Sequence, residues 1–490
     1  MKKKVLDFYK SIQPHAYHIE DAAMDNHIRG GKDLEMFIRS AKMLAREGVL
    51  TCTRPDVYQY EEQQHEEYEG IYKGYRKSYG FVIMLDDEDI YVAEQNKGTA
   101  MHNDKVRVRV VPSDYTKHKR EGIIVDVIER ANETVVGTYD RQQYFGFVVP
   151  DDERIGTDIF VDLKNTLDAR SGAKVLVKIT KWPEGNKKPE GIITEVLGYK
   201  GDVGLDINCI MANHKIPFAF SDEVIKASKK IDTVIHEDPK RWDLRDLQMV
   251  TIDGEDAKDL DDAVSGRKLP NGNYELGVHI ADVSHYVTSG QPIDNEAYKR
   301  GTSVYLVDRV VPMLPEVLSN GICSLNAHED RYAMTCMMEI DDSGTVVNYR
   351  IRPSIIHVGR RCSYKEVYKA LEENIIPDDL QDFMPMLRDL AEISKILNRM
   401  RRRRGALDFD FPEYKVLLDL DGTPLRIVKR DRTMAERLIE ECMLIANETV
   451  ATHLKNTHRT SVYRIHESPS EEKLDLFQKV LNYLGQNLVL

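Results

Sequence analysis

The sequence lacks the features that mark membrane and secreted proteins. It contains no run of about 18 apolar residues that could span a bilayer. Its first residues, Met-Lys-Lys-Lys, are not followed by the apolar stretch of a signal peptide. The 490 residues include only six cysteines and no Cys-x-x-Cys pair, which argues against a disulfide framework and a cysteine zinc site. We therefore expect a cytoplasmic protein with reduced thiols and no membrane contact.

An excess of positive charge is also missing. The formal net charge is −13, whereas a protein that simply coats nucleic acid is usually basic. The 69 lysines and arginines still allow a local basic channel inside an acidic exterior. The densest basic run, at 399–404, fits either a solvated helix end or a phosphate contact. The length and a hydrophobic content of 41% predict roughly three or four domains with real cores.

The N-terminal 62 residues are predicted to form a small helical module with a two-stranded wing. Apolar residues recur at helical spacing from Val5 and again from Leu34. Short strand-like segments then follow at Val49 and Val57. Helices followed by a hairpin are typical of winged-helix modules, which bind nucleic acid or protein.

An internal repeat follows this module. The motif Gly-Phe-Val, with Asp-Ile-aromatic-Val after it, starts at Gly80 and again at Gly146. Short alternating strands and polar turns predict two small β-barrels, which resemble cold-shock OB-folds, where surface aromatics stack on bases. Strand alternation should place some of the candidate RNA-binding aromatics in the barrel cores. These candidates are Tyr79, Phe81 and Tyr91 in the first barrel, and Phe145, Phe147 and Phe160 in the second.

The segment 251–263 carries five aspartates and one glutamate. So many carboxylates repel one another unless a cation lies among them. Magnesium prefers carboxylate oxygens and keeps waters that a phosphate can replace. The residue order does not fit an EF-hand loop. Pattern alone leaves two interpretations open, a solvated acidic loop and a metal-dependent phosphodiester-cleaving site.

The acidic segment and its surroundings resemble the RNB nuclease domain of the RNase II family. The matching stretches are 243–247, 251–263, 279–287, 300–305, 311–319, 405–412, 439–447 and 463–466. The helical module and two barrels upstream resemble the branch of that family that carries such a module. The implied fold is multidomain α+β, with a winged-helix-like N-terminus, two cold-shock-type OB-fold β-barrels and a mixed α/β RNB nuclease domain. The expected ranges are 1–62, 66–130, 133–198, a connector at 199–242, and 243–490.

Resemblance to this family implies a processive 3′-to-5′ exoribonuclease. It implies a Mg²⁺-dependent two-metal mechanism that degrades single-stranded and structured RNA to nucleoside 5′-monophosphates. The family's four catalytic and metal-binding carboxylates fall on Asp253, Asp259, Asp261 and Asp262. The 3′ end of single-stranded RNA is the expected partner, ribosomes and RNA-decay factors are candidate partners, and a monomer is the family's usual state.

The resemblance also implies contacts to the 3′ end of the RNA. Tyr305 matches a tyrosine that packs against the last nucleotides, and Phe409 matches an aromatic that closes the stack of bases. Phe411 lies on the same side of an alternating strand, so either phenylalanine fits. Glu440 and Glu441 match a helix pair from which the family makes a base contact. The plainer interpretations are a buried strand aromatic for Tyr305 and a helix-surface charge for one glutamate.

Two features of the family have no counterpart in the sequence. One is a Thr-Ser-Pro-Ile-Arg-Arg-Tyr motif with an arginine near the scissile phosphate, and the other is a third OB-fold domain. A group that offsets charge on the reacting phosphate can contribute several kcal/mol. We therefore expect an incomplete nuclease domain with weak or no activity. The alternative function is an RNA-binding regulator with an inactive RNB domain.

Overall fold

The structure is a computed structural model that describes most of the chain in two compact units. The described residues are 1–46, 49–60, 66–75, 79–84, 88–111, 120–183, 187–407, 409, 411–465 and 467–486. Asp408, Asp410 and His466, which belong to the motifs above, lie outside them. One unit comprises Met1–Pro217 with Asp419–Thr423, and the other comprises Phe218–Leu418 with Pro424–Leu490. Within the described residues, no helix has the length and apolar character needed to cross a membrane.

The first unit begins with three helices and a small sheet. Its elements are α1 (Lys2–Ser11), β1 (Tyr17–His18), α2 (Ile19–Asp25), α3 (Lys32–Arg46), β2 (Thr51–Arg54) and β3 (Val57–Gln59). The strands pair in the order β1-β3-β2. Val5 and Tyr9 of α1 and Phe37 of α3 are fully buried in one apolar cluster. The helices and the β2–β3 hairpin form the predicted winged-helix-like module.

Two closed five-stranded barrels follow. The first contains β4 (Glu67–Gly74), β5 (Gly80–Ile83), β6 (Ile90–Val92), β7 (Lys105–Val111) and β8 (Glu121–Glu129). The second contains β9 (Thr134–Arg141), β10 (Phe145–Pro150), β11 (Ile159–Asp162), β12 (Ala173–Lys181) and β13 (Glu190–Tyr199). The strands close in the orders β4-β5-β6-β8-β7 and β10-β11-β13-β12-β9, which are the same arrangement. The internal repeat of the sequence is therefore a repeat of structure.

The six candidate aromatics all lie outside the barrel cores. Strand residues that alternate with them are fully buried, for example Val82 and Ile90 in the first barrel and Val148 and Ile159 in the second. None of the six aromatics is buried. The expectation that alternation places some of them in the core is wrong, because five of them occupy the outward register of their strands and Tyr79 directly precedes β5 in the same register.

The connector holds two helices. These are α4 (Leu205–Asn213) and α5 (Asp222–Ser228). Leu205, Cys209 and Ala212 of α4 are buried in a cluster with Val136 and Leu197 of the second barrel. This packing stabilises a helix that the sequence pattern alone did not reveal.

The second unit is built on a seven-stranded sheet of order β14-β21-β20-β17-β16-β15-β22. The strands of this unit are β14 (Trp242–Leu244), β15 (Val250–Asp253), β16 (Asp262–Lys268), β17 (Tyr274–Ala281), β18 (Val304–Tyr305), β19 (Val310–Val311), β20 (Asp330–Ile340), β21 (Val346–His357), β22 (Arg360–Ser363), β23 (Glu413–Leu418) and β24 (Pro424–Arg430). β18 with β19, and β23 with β24, form separate two-stranded pairs.

Helices cover this sheet. They are α6 (Val283–Tyr286), α7 (Pro292–Arg300), α8 (Tyr364–Glu372), α9 (Met384–Arg403), α10 (Met434–Asn456) and α11 (Glu471–Tyr483). One large apolar cluster joins the sheet to α8, α9 and α10, and a second cluster joins it to α5 and α7. A mixed α/β unit that follows two closed barrels confirms the predicted fold class.

Candidate active site

The acidic segment leaves the sheet at Asp253, the last residue of β15, and re-enters it at Asp262, the first residue of β16. The two strands pair only at Val250 and Val264, so they diverge toward the segment. On the β16 side, the N–H of Ala281 donates to the carbonyl oxygen of Asp261 at 2.9 Å. The sheet therefore fixes both ends of the segment, and the loop between them spans the gap.

Basic side chains divide the six carboxylates into two groups. Lys415 Nζ lies 2.7 Å from Asp256 Oδ2, and Lys365 Nζ lies 3.6 Å from Glu255 Oε1. Across the described part of the chain, the other four carboxylates form no ion pair with a lysine or arginine. They are Asp253, Asp259, Asp261 and Asp262. The structure thus separates the four predicted ligands from the two acidic residues left out of the prediction.

Burial and mutual repulsion disfavour the charged forms of three of these carboxylates. Burial, and then the charge of Asp261, raise the pKa of Asp253 to about 6. Burial, and then the charge of Asp253, raise the pKa of Asp262 to about 7. Burial also raises the pKa of Asp261. One oxygen of Asp253 and one of Asp262 are buried without a hydrogen-bond partner, which is costly for a polar atom.

The donor set fits a divalent cation that prefers oxygen. Such a cation would satisfy the two partnerless oxygens and offset the repulsion among the carboxylates. The side chains do not converge on a common position for a cation. Among the residues that the structure describes, no three acidic, histidine or cysteine side chains converge closely enough to hold a metal ion. Ligation would therefore need side-chain rotations, which the partly exposed Asp259 and Asp261 can make.

Tyr305 lies beside this carboxylate cluster. Its hydroxyl donates a hydrogen bond to Asp259, and this bond raises the pKa of Tyr305 to about 12. The side chain is 64% exposed. It is therefore not a buried strand aromatic, and its ring is available to a ligand that approaches the carboxylates.

A cavity of about 790 Å³ lies beside α10 and the end of β24. Phe409 and Phe411 line it, with ring centroids 5.5 Å apart and planes 15° apart. Tyr364 also lines it, and burial followed by the charges of Asp253 and Asp262 raises the pKa of Tyr364 to about 12. Tyr364 thus connects the cavity to the carboxylates. Sequence analysis missed Tyr364, although the Ser-x-x-Glu cap that starts α8 signals a helix at this point.

The two glutamates of α10 point to different places. Glu440 lines the cavity and pairs with Arg432. Glu441 is buried, accepts a hydrogen bond from Asn398 Nδ2 at 2.9 Å and lies 3.4 Å from Arg401 Nε. Only Glu440 is therefore placed to reach a ligand in the cavity, whereas Glu441 ties α10 to α9.

The outward aromatics of the first barrel form a connected cluster. The ring centroids of Tyr79, Phe81 and Tyr91 lie 5.6 to 6.3 Å apart. Tyr75, which sequence analysis did not select, stacks on Tyr79 at 5.5 Å. Such a face presents ring surface to solvent, which is what base stacking requires.

The second barrel has a matching cluster. The ring centroids of Phe145, Phe147 and Phe160 lie 5.3 to 6.0 Å apart. The ammonium group of Lys188 lies 4.6 Å from the centroid of Phe147. A cation beside exposed rings suits a ligand that has both bases and phosphates.

Three domain families match the chain. The RNB domain matches residues 241–489, slightly more than half of the chain. A cold shock domain matches residues 147–221, and the ribonuclease B OB domain matches residues 70–127. These matches cover the carboxylate cluster, the cavity and parts of both barrels.

Similar proteins are ribonucleases. Ribonuclease R of Thermotoga maritima is 44% identical over 410 residues, which are 83% of this chain and 58% of that protein. Ribonuclease R of Escherichia coli is 36% identical over 475 residues, which are 96% of this chain and 58% of that protein. The structure of Mycoplasma genitalium RNase R in complex with ribose methylated single-stranded RNA matches with a TM-score of 0.79 and 30% identity, over 85% of this chain and 66% of that one. The chain thus spans 58% of the length of both curated relatives.

Proposed function

Because the chain belongs to the RNB-domain family, we propose that it acts as a 3′-to-5′ exoribonuclease on single-stranded and structured RNA. The observation that carries the proposal is the cluster of Asp253, Asp259, Asp261 and Asp262, which form no ion pair with a lysine or arginine of the described residues. An inactive relative would have no need to keep four charged carboxylates together at an energetic cost. The similarity to ribonucleases R in both barrels and the nuclease domain supports the same conclusion.

The four carboxylates are the proposed ligands of Mg²⁺. Bound there in a two-metal arrangement, magnesium would activate the attacking water and stabilise the leaving oxygen. The chain's own contribution is to hold the oxygens in a partly buried place, where charge interactions are stronger than in water. Hydrolysis between phosphorus and the 3′ oxygen leaves the phosphate on the departing nucleotide. The proposed product is therefore a nucleoside 5′-monophosphate.

The exposed rings give the proposed path of the RNA. Tyr305 would pack against the terminal nucleotide beside the carboxylates, and Phe409 with Phe411 would close the far end of a short stack of bases. Glu440 would accept a hydrogen bond from a ribose hydroxyl or a base, at the cost of its pairing with Arg432. The aromatic faces of the two barrels would hold the incoming strand.

The protein is proposed to act in the cytoplasm as a monomer. Its six cysteines are all free, which suits a reducing compartment. Ribosomes and RNA-decay factors are the candidate partners.

A single-turnover assay tests the proposal. A 5′-labelled single-stranded RNA is incubated with excess protein in Mg²⁺ or in EDTA, and the same is done with Asp261→Asn. We expect a ladder that shortens slowly from the 3′ end and only in Mg²⁺, in line with a weakly active chain, with no ladder from the variant or from a deoxy strand of the same sequence. Internal cuts at scattered positions would contradict exonuclease action. RNA that is bound but never shortened would favour the regulator.

A further inference from the structure

Arg361 holds the backbone of the acidic loop. It lies on β22 at the register of Thr251 on the parallel strand β15. Its Nη2 donates to the carbonyl oxygens of Ala257 at 2.7 Å, Glu255 at 3.1 Å and Gly254 at 3.4 Å. A single guanidinium nitrogen therefore contacts three carbonyl oxygens of the turn that begins directly after Asp253.

The position of this turn determines how the carboxylates face one another. Asp253 precedes the turn, and Asp259, Asp261 and Asp262 follow it. The turn has one internal backbone bond, from the N–H of Ala257 to the carbonyl of Gly254 at 3.2 Å. Without Arg361, three carbonyls would lose a charged donor, and such bonds are about twice as strong as neutral ones. The turn would then be free to open and move Asp259 away from the three carboxylates that the sheet holds.

Lys365 and Lys415 contact the same loop differently. Each pairs with a carboxylate side chain, Glu255 or Asp256, and the structure shows neither bonded to the loop's carbonyls. They add positive charge to the loop without holding its backbone. They are therefore matched controls for the charge of Arg361.

We propose that Arg361 is a positioning residue that shapes the acidic loop so that the four carboxylates without ion pairs can bind a divalent cation together. The inference rests on the proposed function, because it takes that cation site as given. The direction in which metal affinity changes when Arg361 is removed distinguishes this role from a purely electrostatic one. A positive charge beside the site repels a metal ion, so if charge were its only effect, removing Arg361 would tighten metal binding. If Arg361 positions the loop, removing it weakens binding.

Mn²⁺ alone is the probe, and its binding to the full chain is titrated calorimetrically without RNA. We expect Arg361→Met to weaken Mn²⁺ binding about tenfold or more, as losses around ligand-bearing residues do. Arg361→Lys keeps the charge, but its nitrogen is one bond closer to the backbone than Nη2 and falls short of the same carbonyls, so we expect a similar loss. Lys365→Met and Lys415→Met should leave binding unchanged or slightly tighter. Hydrogen exchange of residues 254–262 should speed up only in the Arg361 variants.

The outcomes separate the two claims. Unchanged or tighter Mn²⁺ binding by Arg361→Met, with binding by the parent chain, would overturn the positioning role alone. Full affinity in Arg361→Lys, with hydrogen exchange of residues 254–262 faster than in the parent, would also overturn it, since binding would then not depend on a held loop. Absence of Mn²⁺ binding by the parent chain would overturn the proposed function and this inference with it. If Arg361→Met fails to fold, as thermal melting would show, Arg361→Lys decides the question.

Discussion

At the scale of single residues, ion-pair partners determine which acidic side chains are available to bind a metal ion. Sequence pattern found six carboxylates in one segment, and family resemblance selected four. The structure gives the physical basis of that selection, because Asp256 and Glu255 are paired with lysines that lie far away in the sequence. Pairing of this kind depends on tertiary packing, so periodicity and spacing within the segment could not predict it.

The raised pKa values predict an unusual dependence of stability on pH. An unfolded aspartate has a pKa near 3.9, whereas Asp262 and Asp253 have pKa values of about 7 and about 6 in the fold. Between about pH 4 and pH 7 the folded chain therefore holds protons that the unfolded chain releases. These groups make the free energy of unfolding fall as pH rises through that window. Bound Mg²⁺ would oppose the effect, because it favours the ionised form.

Asp262→Asn isolates this contribution. In EDTA at about pH 8, we expect the variant to be more stable than the parent by roughly 1–3 kcal/mol, since each unit of pKa displacement corresponds to about 1.4 kcal/mol. The advantage should shrink toward pH 5 and vanish below about pH 4, where Asp262 is neutral in both the folded and the unfolded chain. Denaturant unfolding at both pH values measures the difference. A variant that is less stable than the parent at the higher pH would contradict the account.

At the scale of elements, the two barrels show what alternation predicts and what it leaves open. Period-two patterning predicted the strands correctly, but not which set of alternate residues faces the core. Packing between neighbouring strands determines that set. An added Cβ at Gly80 would lie 2.4 Å from the ring of Tyr72, and one at Gly146 would lie 2.3 Å from the ring of Tyr139. Each glycine makes room for a buried tyrosine, which places the neighbouring phenylalanines outside.

The outward rings can therefore be removed without opening the core. We expect Phe147→Ala to weaken binding of a short single-stranded RNA about tenfold, since stacking contributes about 1–3 kcal/mol per base. The melting temperature should change little. Fluorescence anisotropy in EDTA measures binding without cleavage. Tyr144→Ala is the control, because Tyr144 is 77% exposed and adjoins the cluster in sequence. Equal losses from the two variants would show that the cluster has no special role.

Other elements were missed because their stability comes from distant contacts. Helix α4 is stabilised by packing on β-strand residues of the second barrel. Tyr364 reaches the carboxylates only because β22 lies parallel to β15. Arg361 gains its role from the same strand pairing. Local sequence signals indicate where such residues begin a strand or helix, but not what they touch.

At the scale of the whole molecule, the order of modules was predictable and the completeness of the site was not. The repeat, the acidic segment and the motifs that follow are local in sequence, so they indicated two barrels and then a mixed α/β unit. Family membership follows from the RNB match over residues 241–489. The chain spans 58% of the length of the curated relatives, so activity must be measured on these residues themselves.

The most direct test compares five aspartate-to-asparagine variants in the Mg²⁺-dependent single-turnover assay. The central claim is that Asp253, Asp259, Asp261 and Asp262 form one metal-dependent site and that Asp256 does not belong to it. We expect each of the four substitutions to lower the rate of RNA shortening about a hundredfold or more. Asp256→Asn should stay within about threefold of the parent, since it loses only an exposed ion pair. A tolerated substitution among the four, or an Asp256→Asn variant as damaged as the others, would contradict the account.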